Sequence, residues 1–401
     1  MDTVDVLVVG GGIVGLATAH RILEDRPGLH VRVIEREATV GRHQSSRNSG
    51  VLHSGVYYLP GSAKARWSTA GKEQMERFCE EHGVPVVRTG KVVAAVEPEE
   101  VPFLKVLLER GRSNGVEVHA MTAEETAERE PHLRSLGALF VPRTAVTDFG
   151  LVCRALERRI VEAGGLVTTS AEMTRLTPTD DGVRVSTTVG DIDARVVVTC
   201  TGLRSDRTAR LTGDGGPERI VPFRGSWLAL RPERRHLVMG NIYPVPRPGL
   251  TFLGVHLTRR VDGSVWIGPN AVMALAREGR RPWSADLRDL RETLTFPGVY
   301  RLGRKHPNVA FGEVYRDVVL RATIRKVQRY VPEITAADVE RGPWGVRAQL
   351  IDPSGEMVND FRIKHSGRTG RLIHVVNAPS PAATASLQIG AELRDRVLEV
   401  L

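Results

Sequence analysis

The first thirty-five residues leave this chain few choices. Residues 4–9, VDVLVV, are apolar but for Asp5 and read as a buried parallel strand. GGGIVG follows at once, then LATAHRILED with helical spacing, and VRVIE supplies a second strand ending at Glu35. Gly10, Gly12 and Gly15 have GxGxxG spacing, and Glu35 lies twenty residues beyond Gly15. In a strand–turn–helix–strand unit each has a task. Gly10 permits the tight turn, Gly12 lets backbone approach a pyrophosphate, and Gly15 lets the helix pack close to the strand. The helix N-terminus offers free N–H groups and partial positive charge to phosphates, and Glu35 accepts from a ribose diol. The unit is the signature of a dinucleotide site.

At 401 residues the chain is long enough for two domains or one large composite fold, and its 41% hydrophobic and 26% charged residues are those of an ordinary globular protein. No apolar run approaches the ~18–20 residues of a spanning helix. The start shows neither the basic segment nor the cleavage site of a secretory signal. The expectation is a cytoplasmic, water-soluble chain, with a peripheral position at the inner face of the membrane as the alternative. Net charge is +9, carried by arginine, with only seven lysines among the 56 basic residues. The arginines are spread along the chain, which argues for attraction of anionic small molecules rather than nucleic acid. Cys79, Cys153 and Cys200 are far apart and odd in number, so buried reduced thiols are expected. The histidines show no metal-ligand spacing, and no metal is expected.

The cofactor is read from the rest of the chain. No second GxGxxG appears. RVVVTCTGLRSD at 195–206 is a late strand running into a small-residue turn, which brings Thr201 and Gly202 forward. The last residues, GRLIHVVNAPSPAATASLQIGAELRDRVLEVL, read as strand, tight turn and amphipathic helix opened by Ser380 or Pro381, with Ala382 and Ala383 in its first turn. One dinucleotide fold assembled from three separated pieces suits FAD rather than NAD.

Residues 45–58, SSRNSGVLHSGVYY, crowd small hydrogen-bonding groups around His53. Together with FLGVHLTRRVDG, GPNAV, LTFPGVYRLGRKH, WGVRAQ and NAPSPAATASLQIG, this stretch resembles the FAD-dependent amino-acid and hydroxy-acid oxidases of the D-amino-acid oxidase superfamily. Within them it is most similar to the L-2-hydroxyglutarate oxidases and dehydrogenases. The resemblance implies a glutathione-reductase-like, Rossmann-type α/β FAD domain interleaved with an α+β substrate domain on a mixed sheet. It implies that Ser45, Ser46, Asn48 and Ser49 bond the pyrophosphate and flavin edge. Residues 1–80, 145–215 and 340–401 are expected to form the FAD domain, and 81–144 and 216–339 the substrate domain.

A flavin that oxidises an alcohol takes a hydride on N5, and the hydroxyl proton goes to a base. Histidine suits this because its ordinary pKa lies near working pH. His53, in the flavin loop, and His256, in FLGVHLTRR, are the candidates. The stretch GVRAQLIDPSG resembles the one that carries the carboxylate-binding arginine in related amino-acid oxidases and points to Arg347. Arg259 or Arg260 would suit a second carboxylate. The expected reaction is oxidation of a small 2-hydroxy acid, L-2-hydroxyglutarate-like, to the 2-oxo acid, with oxygen or quinone as acceptor. The alternatives are the same flavin chemistry on another alcohol or amine, such as a biosynthetic intermediate, and a flavin-binding protein without turnover. Residues 278–306 mix arginines with Trp283, Phe296 and Tyr300, and read either as an amphipathic cover or as a membrane-surface contact. Several positions depart from the resemblance. Ser226, Trp227 and Leu228 replace an acid and two tyrosines, Arg47 replaces a histidine, and Trp67 and Ser68 replace Leu-Cys. They leave open whether L-2-hydroxyglutarate is the best substrate.

Overall fold

The computed structural model describes residues 2–246, 254–279, 281–366 and 370–401. Two sheets organise it. The first is built around five parallel strands in the order Leu372–Asn377, Gly190–Thr199, Asp2–Val9, Val31–Ile34 and Leu166–Thr168. On the edge that Leu372–Asn377 leaves open, the first half of Gly190–Thr199 pairs with Val183–Thr187, which pairs in turn with Met173–Pro178 as an antiparallel ribbon. Strand residues Val6, Val8, Val33, Val196 and Val198 face a core closed by Leu16, Leu156, Met75 and Leu393 from four helices, Ile13–Asp25, Phe149–Glu162, Ala63–Glu81 and Ser386–Val400. The strand and helix expected in the N-terminal unit are present with these bounds.

The second sheet is mixed. Strand Lys91–Ala95 runs parallel to Asn241–Pro244, and its other partners are antiparallel. From there the sheet passes through His256–Arg259 and Val265–Gly268 to the long strand Arg219–Leu230. Val339–Ile351 pairs along the whole of that strand, from Arg219↔Ile351 to Leu230↔Val339. Residues 340–351 therefore stand in the second sheet and not with the FAD fold to which the sequence assigned them. Strand pairing over this length depends on a partner more than a hundred residues away, which local pattern does not reveal. The apolar run GKVVAAV forms Lys91–Ala95, IVPFRGSWLAL lies in Arg219–Leu230, and the first four residues of LTFLGVHLTRRVDG, 250–253, lie outside the described residues.

The C-terminal helix begins later than the sequence indicated. Residues 380–385 form turns, with Ala385 N–H donating to the Pro381 carbonyl at 3.0 Å, and the helix opens at Ser386 rather than at Ser380 or Pro381. A methyl on Gly71 would lie 2.7 Å from Ala385 Cα, so the Ala63–Glu81 helix packs directly on this turn. The 278–306 stretch is two short helices, Leu287–Leu294 and Pro297–Lys305, rather than one cover. Leu287 and Trp283 are exposed there, but the Arg224 guanidinium lies 4.2 Å over the Trp283 ring and the Tyr300 hydroxyl donates to the Leu294 carbonyl at 2.6 Å. Among the described residues no helix is long and apolar enough to cross a membrane.

Helix Ser386–Val400 meets helix Ile13–Asp25 at Gly390, where a Cβ would sit 2.6 Å from the Ala17 carbonyl oxygen. Overpacking against backbone costs about 1–3 kcal/mol. Gly390→Ala is expected to lower the unfolding free energy by about that amount in urea titration.

Candidate active site

A cavity of about 780 Å³ runs between the two sheets. Its first end is the N-terminal unit. Gly10 has φ +117°, and a side chain there would overlap the Cys200 carbonyl. A methyl on Gly15 would overlap the Gly10 carbonyl, so Gly15 packs the helix on the strand and does not itself line the cavity. A Cβ on Gly12 would meet only Ser45 Oγ, at 3.4 Å, and Gly12 lines the cavity. Ile13 N–H donates to Ser45 Oγ at 2.9 Å, so Ser45 caps the first turn of the helix from across the cleft. Glu35 accepts from Gly11 N–H through Oε2 at 2.8 Å and from Glu37 N–H through Oε1 at 2.9 Å. Each carboxylate oxygen keeps further acceptor capacity on the cavity side. A bare glycine backbone, a helix N-terminus and an oriented carboxylate along one wall are the set a nucleotide pyrophosphate and ribose require.

The polar loop does less direct contacting and more self-support than the sequence suggested. Asn48 spends its amide on the Gln44 and Ser45 carbonyls, at 2.9 and 2.8 Å, and accepts from Gly50 N–H at 2.8 Å. Asn48, Ser45 and Ser49 line the cavity, and Ser46 does not: its Cβ faces the Gly150 end of the Phe149–Glu162 helix. Gln44 accepts from Ala348 N–H at 2.9 Å and ties this loop to the second sheet. Thr201, Gly202, Ser380, Ala382 and Ala383 all reach the same cavity, so the three separated pieces do meet. Cys79 and Cys153 are buried free thiols, whereas Cys200 is half-buried at the cavity wall, its thiol pushed up to about 12 by burial.

At its rim the cavity is laced with ion pairs. Arg36 and Arg204 meet Glu278 at 2.5 and 2.9 Å, Arg204 meets Glu172 at 2.8 Å, and Arg207 meets Asp289 at 2.5 Å. Arg277, buried, pairs with Asp206.

The far end is a chamber. His53, His256 and Arg347, separated by up to 294 positions in the chain, all line it, together with Tyr243, Lys64 and Trp227. His53 is held down to about 3, first by burial and then by Lys91, His256, Arg347 and Lys64. His256 stacks on Tyr243 with ring centroids 4.2 Å apart, and its Nδ1 faces the Gly254 carbonyl at 3.0 Å. Burial holds it down to about 4 against the opposing pull of that carbonyl, with Arg347 and Lys91 adding to the depression. Both imidazoles are neutral at ordinary pH, and the Gly254 carbonyl fixes the proton of His256 on Nδ1, leaving Nε2 as an acceptor.

Arg259 and Arg260 do not serve the chamber as the sequence suggested. Arg259 donates to the Val238 carbonyl at 3.0 Å, and Arg260 donates to the Asn48 carbonyl at 3.2 Å while its guanidinium lies 4.1 Å over Trp266. Of the departures from the resemblance, only Arg47 and Trp227 line the cavity. Ser226 Oγ accepts from Arg224, Leu228 packs in the second sheet's core, Trp67 stacks on Phe361, and Ser68 Oγ donates to the Ala65 carbonyl. Sequence reasoning missed Lys64, Tyr243 and Lys91. For Lys91 there was a signal, a lysine at the head of the buried run KVVAAV.

A glycine-lined nucleotide cleft that opens into a chamber with two neutral imidazoles and a guanidinium defines a flavin-dependent oxidoreductase. The chain belongs to the FAD dependent oxidoreductase (DAO) family, which matches residues 5–396, and its cofactor is FAD. It is 44% identical over 395 residues to an L-2-hydroxyglutarate dehydrogenase, mitochondrial, from Caenorhabditis elegans, covering 96% of this chain and 91% of that one. The L-2-hydroxyglutarate dehydrogenase of Escherichia coli is 37% identical, covering 99% and 94%. In fold it is similar to the L-alpha-glycerophosphate oxidase of Mycoplasma pneumoniae with FAD bound, at TM-score 0.79 and 22% identity over 100% of this chain and 95% of that one.

The Gly12 geometry gives a direct test. Gly12→Val places a branched side chain in the pyrophosphate path, and the purified variant is expected to be colourless while the parent is yellow. A fully FAD-loaded Gly12→Val protein, quantified by its flavin absorbance, would falsify the assignment of this turn.

Proposed function

We propose that the protein oxidises a small 2-hydroxy acid of the L-2-hydroxyglutarate kind to the corresponding 2-oxo acid. The observation that carries this reading is the meeting of Arg347 with two neutral histidines in one chamber of the FAD cavity. The relatives named L-2-hydroxyglutarate dehydrogenase support the substrate class.

Bound FAD supplies a hydride acceptor at N5, with oxygen or a quinone as the eventual electron acceptor. The chain's residues supply the rest. The glycine turn, Ser45, Glu35, Thr201 and Gly202 hold the cofactor. Arg347 grips the C1 carboxylate of the substrate with a planar fork that matches two carboxylate oxygens, which fixes the orientation of C2. A neutral imidazole accepts the C2 hydroxyl proton as the C–H bond is broken. His53 is assigned this role because it stands in the loop that carries the cofactor's serines, and His256, stacked on Tyr243, orients the hydroxyl. Burial of both imidazoles strengthens each of these contacts.

Anaerobic mixing with L-2-hydroxyglutarate is the deciding experiment. Bleaching of the oxidised flavin band is expected. No bleaching with this acid, but bleaching with an amine or another alcohol, would replace the substrate and keep the class.

Arg347→Lys is expected to raise KM by at least about tenfold with a smaller change in kcat, since a point charge reproduces only one of two charge-assisted bonds, each worth roughly 1.5–3 kcal/mol. His53→Ala is expected to lower kcat by about 10²–10⁴-fold. A base works deprotonated, and the values near 3 and 4 extend its working range downward. The kcat/KM profile of the parent should therefore hold its plateau below pH 6. An acid limb centred at the ordinary histidine value would contradict a buried neutral imidazole.

A further inference from the structure

Against the wall of the chamber lies a buried cation that the oxidation chemistry does not use: Lys91 is not itself among the lining residues, but His53 and His256, which are, both feel its charge. Lys91 is only 1% exposed and opens the strand Lys91–Ala95. Among the described residues no carboxylate pairs with it. Its Nζ lies 4.5 Å from the centre of the Tyr57 ring and 5.5 Å from that of Tyr243. Beside it, the Tyr57 hydroxyl is buried with no hydrogen-bond partner among the described residues. Burying an ammonium without a counter-ion, and a phenol without an acceptor, is costly on both counts. One anionic oxygen pair placed between them would relieve both.

The groups around Lys91 point the same way. Tyr57 and His53 face it from the loop after the second strand, Tyr243 from the adjacent strand and His256 from the next. The other neighbouring strand, Gly137–Val141, contributes no ionisable side chain. His53 and His256 both feel Lys91 and Arg347, which places the two cations around the same pair of imidazoles. Arg259 and Arg260, the sequence's candidates for a second carboxylate, are committed to the Val238 and Asn48 carbonyls. Lys64, which does line the cavity, has Asp360 to offset its charge.

We propose that Lys91, assisted by the Tyr57 hydroxyl, binds the second carboxylate of a dicarboxylic 2-hydroxy acid and so sets the preference for dicarboxylates over monocarboxylates. This rests on the reading of the chamber as a 2-hydroxy-acid site, in which Arg347 takes the C1 carboxylate. Burial alone lowers the Lys91 ammonium to about 7, so the free enzyme carries this charge below that pH and loses it above. An anion bound beside it restores the charge.

The test compares kcat/KM for L-2-hydroxyglutarate and for 2-hydroxypentanoate, which has the same chain length without the distal carboxylate. It uses FAD-loaded parent, Lys91→Met, Lys91→Arg and Lys64→Met. The parent is expected to prefer the dicarboxylate by about 10–100-fold, the equivalent of one charge-assisted contact. Lys91→Met should lose most of that ratio, Lys91→Arg should retain part of it, and Lys64→Met should keep it. For the parent, the dicarboxylate profile should fall above pH 7 while the monocarboxylate profile lacks that limb. An unchanged ratio in Lys91→Met, or its loss in Lys64→Met instead, overturns the assignment while leaving the 2-hydroxy-acid reading intact. Failure of the parent to oxidise either acid sinks both. If Lys91→Met does not fold, calorimetry on the parent decides. Binding of glutarate at pH 8, compared in two buffers of different ionisation enthalpy, should take up close to one proton, whereas pentanoate should take up none. Equal uptake for the two ligands overturns the proposal.

Discussion

The fold hangs on a contact that no side chain makes. At Gly15 the first helix lies so close to the Gly10 carbonyl that a methyl would overlap it, and Gly10 in turn lies under the Cys200 carbonyl. These approaches seat the helix N-terminus at the carboxyl edge of the parallel sheet, where its unpaired N–H groups open toward the cleft. They also bring the chain after Gly190–Thr199 alongside, so that Thr201 and Gly202 enter the cavity beside Gly12. The C-terminal helix is held to the same helix by Gly390 against Ala17. Three distant pieces of chain share one nucleotide cleft because backbone meets backbone at each junction.

Charge is handled in opposite ways at the two ends of the cavity. At the nucleotide rim cations and carboxylates alternate: Arg36, Arg204 and Arg207 are matched by Glu278, Glu172 and Asp289. The pairs to Glu278 and Asp289 reach from the first sheet's connections to segments that follow the second sheet, whereas Arg204–Glu172 joins two segments of the first. Around the chamber, Lys91, Arg347 and Lys64 all act on His53 as cations. A positive, water-poor chamber favours anions and keeps imidazoles neutral, and the two effects have one cause, since burial beside cations disfavours a further proton. In the proposed reaction, anion recognition and base catalysis share this one electrostatic arrangement.

The partition of the chain into layers was only partly legible. VDVLVV, GGGIVG and VRVIE gave the nucleotide unit because strand period, turn glycines and helix spacing agree within thirty-five residues. Val339–Ile351 was misassigned because its partner, Arg219–Leu230, is remote in sequence, and a strand pattern carries no record of which sheet it joins. The late start of the last helix, at Ser386, was equally hidden: SPAAT satisfies the rules for a helix opening, but packing of Gly71 on Ala385 holds that segment as turns.

The sequence by itself determined the cofactor cleft and the residues of its glycine turn, which rest on local spacing written in the order of the chain. It also singled out His53 and His256 as candidate bases by residue type, and Arg347 as a candidate carboxylate partner through the resemblance. Only the tertiary structure decided which polar groups remain available. Ser46 turns away, Asn48 is consumed by its own loop, and Arg259 and Arg260 are bonded to carbonyls, while Lys91 at the head of an apolar strand is left without a counter-ion among the described residues. Whether a charge is spent or free depends on what the fold packs against it, and that is a property of contacts across the chain rather than of position along it.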